Sequence, residues 1–252
     1  MMSKRQEIRD KRRRERMRSQ ILVVLFVVAG ALLLAFALVM PTVQGLIDQA
    51  NATEIPVTMI TPRTFNSPVD GASHGDPNAP VKMDTWEDFQ CPACVGFSQS
   101  VMPQIISTYV DTGRVYYTFH FYPFIDNLSA TQESDQAASA SLCASEQGRF
   151  WDYHDILFAN WNGENQGAYA DARLVRFAEV LGLDMDAFSA CFEEGRYQND
   201  IDRDFALGET AGVNSTPTIF VNGVRVLNDL GEQYVPDFGD VAAAIEAALG
   251  GE

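Results

Sequence analysis

Two cysteines separated by two residues, Cys91-Pro92-Ala93-Cys94, carry the first chemical signal in this sequence. Residues 81–89 ahead of them have strand character. Behind them, the apolar period of Phe97, Val101, Ile105, Ile106 and Tyr109 predicts a helix over 95–110, closed by Gly113. The pair therefore falls at a strand-to-helix junction. A thiol in the first helical turn faces unpaired N–H groups and the positive end of the helix dipole, and both favour thiolate. The spacing lets the pair close into a disulfide, with Cys91 exposed at the helix start and Cys94 one turn deeper. Pro92 suits the first helical position, where an N–H would have no partner. Half a zinc site or a structural disulfide are the competing readings. A zinc site normally needs a second pair or paired histidines, whereas Cys143, Cys191, His74, His120 and His154 stand isolated. The reading is a redox pair, with no metal and no cofactor.

The second signal is Asn214-Ser215-Thr216-Pro217-Thr218-Ile219-Phe220. A proline at the head of an apolar β run cannot donate to a central ladder and marks an edge or a bend. Alone, Pro217 reads as an ordinary trans proline. Together with the upstream CxxC it predicts a cis Thr216–Pro217 bond packed beside the disulfide.

The elements that must hold these groups follow from pattern. Residues 114–121 (RVYYTFHF) are dense in aromatic and β-branched side chains, as in a buried strand. A helical zone runs over about 129–209, broken near 162–167, at Gly182 and at Gly195. Residues 216–221, an Asn222-Gly223 turn and residues 224–227 form a hairpin signal, and a final helix covers about 237–249. One ordinary crossover cannot absorb so long a helical zone. It reads as a helical subdomain inserted into a small α/β sheet.

Charge divides the 252-residue chain. Its formal net charge is −16, yet residues 1–20 hold nine of its 18 basic residues and three of its 34 acidic ones. That segment sums to +6 and the remainder to −22. A body so acidic offers nothing to neutralise a phosphate backbone, which excludes nucleic acid as the main partner. With 46% hydrophobic residues over its whole length, the chain is also too apolar for this body to be a disordered tail. Residues 21–40 lack any charged or strongly polar side chain, and twenty helical residues span about 30 Å, the hydrocarbon thickness of a bilayer. A secretory leader has a shorter apolar run and a small-residue cleavage site; this run ends in Val39-Met40-Pro41. The expectation is therefore a basic cytoplasmic segment at 1–20, an uncleaved transmembrane anchor at 21–40, and everything beyond exported. Residues 41–80 carry six of the eleven prolines and read as a tether, with 57–60 a candidate extra strand. The linker is drawn at 41–74 and the folded domain at 75–252.

Four stretches together resemble the DsbA-like branch of the thioredoxin superfamily. They are Gly75-Asp76-Pro77-Asn78-Ala79-Pro80-Val81, Glu87-Asp88-Phe89-Gln90-Cys91-Pro92-Ala93-Cys94, Gln147-Gly148-Arg149-Phe150-Trp151-Asp152-Tyr153-His154-Asp155, and residues 213–223. The resemblance implies a thioredoxin fold with an inserted helical domain and thiol–disulfide exchange with protein substrates. Carried over by position, Cys91 is the exposed nucleophile, Cys94 its buried partner and Pro217 the cis-proline. Thr216 offers backbone hydrogen bonds to a substrate strand.

The sequence departs from that pattern at two points. The buried carboxylate often found six residues before the first cysteine is replaced by Thr85. Asp84, Glu87 and Asp88 lie nearby, Asp88 at a common family acid position, and none is assigned as proton acceptor. Ala93 replaces the imidazole of strongly oxidising relatives, which predicts a less acidic Cys91 and a less oxidising disulfide. In an oxidising compartment Cys143 and Cys191 are expected to form a structural disulfide; two buried free thiols or a relay pair are the rivals. Trp151, Tyr153 and His154 read as helix packing rather than as a catalytic base. Tyr116, Tyr117, Phe119 and Phe121 fill strand positions. Three N-glycosylation patterns, at Asn51, Asn127 and Asn214, are of a kind common by chance. No phosphate loop, dinucleotide fingerprint or serine triad appears.

The functional expectation is a membrane-tethered, extracytoplasmic oxidase of protein thiols, reoxidised by a quinone-linked membrane partner. The alternatives are a reductase or isomerase using the same site, and a thioredoxin-fold binding or chaperone module with an idle disulfide.

Overall fold

The computed structural model describes residues 17, 22, 25–41, 43, 56–128, 131–228 and 235–250. Residues 25–41 form helix α1, most of whose large apolar side chains are exposed. Of the expected anchor, residues 21, 23 and 24 lie outside the described residues, as does nearly all of the basic segment. Among the described residues no helix is long and apolar enough to cross a membrane.

The chain divides into two compact units, residues 1–50 and 51–252, and the described part of the second starts with residues 56–68, part of the expected linker. Residues 57–60 form no strand. Instead the Asn160 side chain brackets the Thr58 backbone, accepting from its N–H (2.7 Å) and donating to its carbonyl (2.9 Å). Val57, Ile60 and Phe65 pack on the core, and Arg63 forms a two-point ion pair with Asp155. Strands β1 (Val69–Asp70) and β2 (Ser73–His74) then join the sheet. The linker reading fails over these residues because their apolar side chains and backbone groups have partners on the domain.

Six strands lie in the order β1-β2-β4-β3-β5-β6, where β3 is Val81–Glu87, β4 Val115–Phe121, β5 Thr218–Val221 and β6 Val224–Arg225. The central β3 pairs parallel with β4, Glu87 opposite Phe121, and antiparallel with β5, Trp86 opposite Thr218. Period-two alternation sends Val81, Met83, Thr85 and Glu87 of β3, and Val115, Tyr117, Phe119 and Phe121 of β4, into the core. Asn222 and Gly223 both take positive φ (48° and 76°), which the hairpin's tight turn requires. Gly75 is obligatory for another reason: a Cβ there would sit 2.6 Å from the Val115 carbonyl oxygen.

The parallel connection from β3 to β4 is helical from Pro92 to Val110. It runs as α2 (Pro92–Gly96), a π-helical stretch (Phe97–Val101), α3 (Met102–Ile105) and a second π-helical stretch (Ile106–Val110). The helical insertion contains α4 (Glu133–Ser145), α5 (Phe150–Ala159), α6 (Asp171–Val180), α7 (Met185–Glu193) and α8 (Gln198–Thr210). Gly148, Gly182 and Gly195 turn between helices at positive φ. Helix α9 (Phe238–Ala248) closes the fold, its start fixed by a reciprocal Asp237/Asp240 capping box. Trp151, Tyr153 and His154 of α5 are all buried, His154 between Phe89, Phe119 and Phe158. Cys143 of α4 and Cys191 of α7 are joined in a disulfide, with S–S 1.95 Å and Cα–Cα 5.8 Å.

Candidate active site

Strand β3 delivers the chain to a short loop, Asp88-Phe89-Gln90, and Cys91 then caps helix α2 with extended backbone angles. Pro92 follows in the first turn. The loop is fastened to the insertion. Asp88 accepts from the Gln90 N–H (2.8 Å), the Ile125 N–H (3.0 Å) and the Ser134 hydroxyl (2.6 Å). Trp161 donates to the Gln90 carbonyl (2.7 Å) and Tyr169 to that of Phe89 (3.0 Å). The Gln90 amide reaches Ser134 and Asp126. None of Ser134, Trp161 or Tyr169 is marked by the sequence, because single residues scattered over tens of positions have no spacing to betray them.

Both site cysteines are unbonded thiols here, and both are buried. The expectation of an exposed Cys91 is corrected: it is only 6% exposed. The cause is the loop carrying the cis Thr216–Pro217 bond, which closes over the sulfur. The Cys91 thiol donates to the Thr216 carbonyl oxygen at 3.3 Å. Thr216 thus has its carbonyl on Cys91, and β5 begins only at Thr218.

Electrostatics separate the two sulfurs. Hydrogen bonding with Cys94 lowers the Cys91 pKa, burial opposes this, and Thr216 with the backbone N–H groups of Cys94 and Ala93 lowers it further, from an ordinary 9.0 to about 6. These are the helix-start donors expected from the junction. Cys94 moves the other way, well above 9.0, through burial, its hydrogen bond with Cys91 and the charge of Glu87.

Glu87 is the feature that the sequence did not single out. It is 1% exposed, and burial first of all raises its pKa to about 8. Its Oε1 accepts from the Thr85 hydroxyl (2.9 Å) and the Tyr117 hydroxyl (3.3 Å). A signal did exist: period two places Glu87 on the same strand face as Thr85. Asp84 is on the opposite face, bonded to His120 (3.2 Å). Burial opposes protonation of His120, but Asp204 and Asp84 hold its pKa up at about 9. Among the described residues no group of three or more His, Cys, Asp or Glu could hold a metal ion.

A family model described as thioredoxin matches residues 67–236. The chain belongs to this thioredoxin family. Two kinds of curated relative match the chain. A Na(+)/H(+) antiporter NhaA 3 from Salinispora tropica is 35% identical over 151 residues, 60% of this chain and 21% of the antiporter. The chain thus spans about a fifth of the antiporter's length. Disulfide bond formation protein D from Bacillus subtilis is 24% identical over 181 residues, covering 71% of this chain and 77% of that protein. Among solved structures, oxidised BdbD from Bacillus subtilis superposes with TM-score 0.62 at 23% identity, over 72% of this chain and 94% of that one. Wolbachia pipientis alpha-DsbA1 gives 0.58 at 25% identity, over 74% and 96%. The fold is thus the thioredoxin fold with a helical insertion, of DsbA-like architecture.

Proposed function

We propose that the chain is an extracytoplasmic thiol:disulfide oxidoreductase that oxidises protein thiols through Cys91 and Cys94. The observation that carries this reading is the split between the two sulfurs, Cys91 near 6 and Cys94 well above 9.0. An acidic thiolate stabilises the dithiol state and is a good leaving group, which makes the disulfide state an oxidant. The relatives named for disulfide bond formation support the same direction. The match to the antiporters brings no ion transport with it.

In the oxidising direction a client thiolate attacks the Cys91 sulfur and Cys94 leaves. The client's second thiolate then attacks the client's first sulfur in the mixed disulfide, forming the client disulfide and expelling Cys91 as thiolate. The products are a client disulfide and the Cys91/Cys94 dithiol, so two electrons must pass to a reoxidising partner. A quinone-linked membrane protein fits that need, and an anchor at residues 21–40, with residues 1–20 cytoplasmic, would hold the domain near it. The apolar run and its basic flank support this placement. Retention of the chain in membranes after alkaline carbonate washing supports the anchor; release into the supernatant removes it.

The decisive measurement is the reduction potential of the Cys91/Cys94 pair, taken with the rate of dithiol-peptide oxidation. A potential near the oxidising end of the superfamily, with C94S accumulating a Cys91 mixed disulfide, is the expected result. A potential near that of thioredoxin, about −270 mV, turns the reading to a reductase. No exchange at all leaves a binding module.

A further inference from the structure

Cys94 is fully buried as a thiol, so its proton needs a destination whenever it becomes a nucleophile and a source whenever it leaves. Three acids precede the CxxC, and the geometry separates them. Asp84 faces away from the core and pairs with His120. Asp88 is buried, but both its oxygens are committed, Oδ1 to Gln90 and Ser134 and Oδ2 to Ile125. Glu87 differs from both. Its Oε1 takes the Thr85 and Tyr117 hydroxyls, whereas its Oε2 is buried with no hydrogen-bond partner. An orphaned carboxylate oxygen inside a core is costly unless a proton occupies it. With Oε1 saturated by donors, Oε2 is where that proton sits. Beyond burial and its two hydroxyl donors, this carboxylate is acted on by both site cysteines: the charge of Cys91 pushes the Glu87 pKa up, the hydrogen bonding of the Cys94 thiol draws it down, and the carboxylate's own charge adds to the rise at Cys94.

We propose that Glu87 is the proton acceptor and donor for Cys94, and that Thr85 and Tyr117 are its positioning residues. The acid has thereby moved two residues along the same strand face, and the threonine left behind has become its hydrogen-bond donor. This inference rests on the oxidoreductase reading. In client oxidation the client thiolate forms a bond to the Cys91 sulfur and the Cys91–Cys94 bond breaks. Its electron pair goes to Cys94, which takes the proton from Glu87 Oε2 and leaves the carboxylate. In reoxidation by a partner disulfide, Cys91 thiolate attacks and a partner thiolate departs. Glu87 then removes the Cys94 proton, and Cys94 closes onto Cys91 and expels the second partner thiolate. Tyr117 stays a neutral donor throughout, since burial holds its phenol well above 10.0.

Two readouts on the full chain test the assignment. In a C91S background, Cys94 thiolate is followed by its absorbance near 240 nm, against the C91S/C94S double variant. Adding E87Q removes the opposing charge, so Cys94 is expected to ionise at lower pH; identical titrations overturn the proposal, whether or not the chain exchanges disulfides. Single-turnover oxidation of a dithiol peptide is the second readout. E87Q is expected to slow by at least about tenfold and to lose the pH limb near 8, while D84N follows the unaltered chain. An E87Q profile that matches the unaltered chain overturns the proposal. An unaltered chain inert towards the peptide sinks the oxidoreductase reading instead, and the titration still decides the proton assignment. Should E87Q fail to fold, infrared difference spectra of the unaltered chain labelled with 13C-glutamate replace it. A protonated glutamate band that shifts on reduction supports the assignment; no glutamate response overturns it.

Discussion

The Cys91 sulfur lies 3.3 Å from the carbonyl oxygen of Thr216, a residue 125 positions further along the chain. This contact brings the two sequence signals, CxxC and Thr-Pro, into one site, and it buries the thiol that helix α2 acidifies. Thr216 Oγ1 is also buried without a regular partner, close enough to contribute to lowering the Cys91 pKa.

Cys91 should therefore react as thiolate from mildly acidic pH upward. Alkylation by iodoacetamide in the dithiol form is expected to reach half its plateau near pH 6. The folded pKa is depressed relative to the unfolded thiol. Cys91 thus stabilises the folded dithiol form above about pH 6, by an amount that grows towards pH 9 and is lost as pH falls back through 6. T216V should shift the alkylation midpoint upward. A midpoint at 8 or above in the unaltered chain would remove both the acidification and the oxidant argument built on it.

Glu87 and Asp88 carry the opposite linkage. Burial raises their pKa values to about 8 and about 7. Their contribution to stability is fully present below the ordinary carboxylate range and is lost as pH rises through 7 to 8. In the disulfide form, where Cys91 does not titrate, E87Q should be more stable than the unaltered chain at pH 8.5, on the order of a few kcal/mol. The difference should shrink towards pH 4.5. Urea unfolding at both pH values measures it, and a gap that widens on acidification would contradict the assignment of a buried, protonated Glu87.

Helix α8 meets the sheet at Gly208, where an added Cβ would sit 2.8 Å from Trp86 Cδ1 and 2.9 Å from Tyr122 Cδ2. Neither ring is free to yield. Trp86 stacks on His120 with centroids 4.4 Å apart, and Tyr122 stacks on Phe205 at the same spacing. G208A should destabilise the chain by about 1–3 kcal/mol and loosen α8, whose end leads into the Thr216 loop. A thermal midpoint unchanged from that of the unaltered chain would show that the helix shifts without cost.

Legibility in the sequence followed the range of the forces involved. The aromatic and β-branched density of residues 114–121, the Asn222-Gly223 turn and the glycines at 182 and 195 act over a few residues, and each appears in the structure near its expected place. Over residues 56–68 the linker reading fails, because Thr58 finds Asn160 and Arg63 finds Asp155 about a hundred residues away. The burial of Cys91 was missed for a similar reason: a helix start is exposed until a distant loop covers it. For Glu87 the informative coordinate is strand parity with Thr85, which distance along the chain from Cys91 does not convey.

The remaining pair, Cys143 and Cys191, closes a 48-residue separation between α4 and α7, and both residues are buried. In the loop-entropy account such a bridge contributes up to about 4 kcal/mol, so the C143A/C191A variant should lose roughly 2–4 kcal/mol. Burial also protects the bridge from an incoming thiolate, which must approach along the S–S axis. Mild dithiothreitol treatment of the folded, oxidised chain should therefore expose two alkylatable thiols, at Cys91 and Cys94, and four only after denaturation. Mass spectrometry of the alkylated peptides counts them directly. Four thiols labelled without denaturant would mean that the second pair exchanges with the first, and a relay would replace the structural bridge.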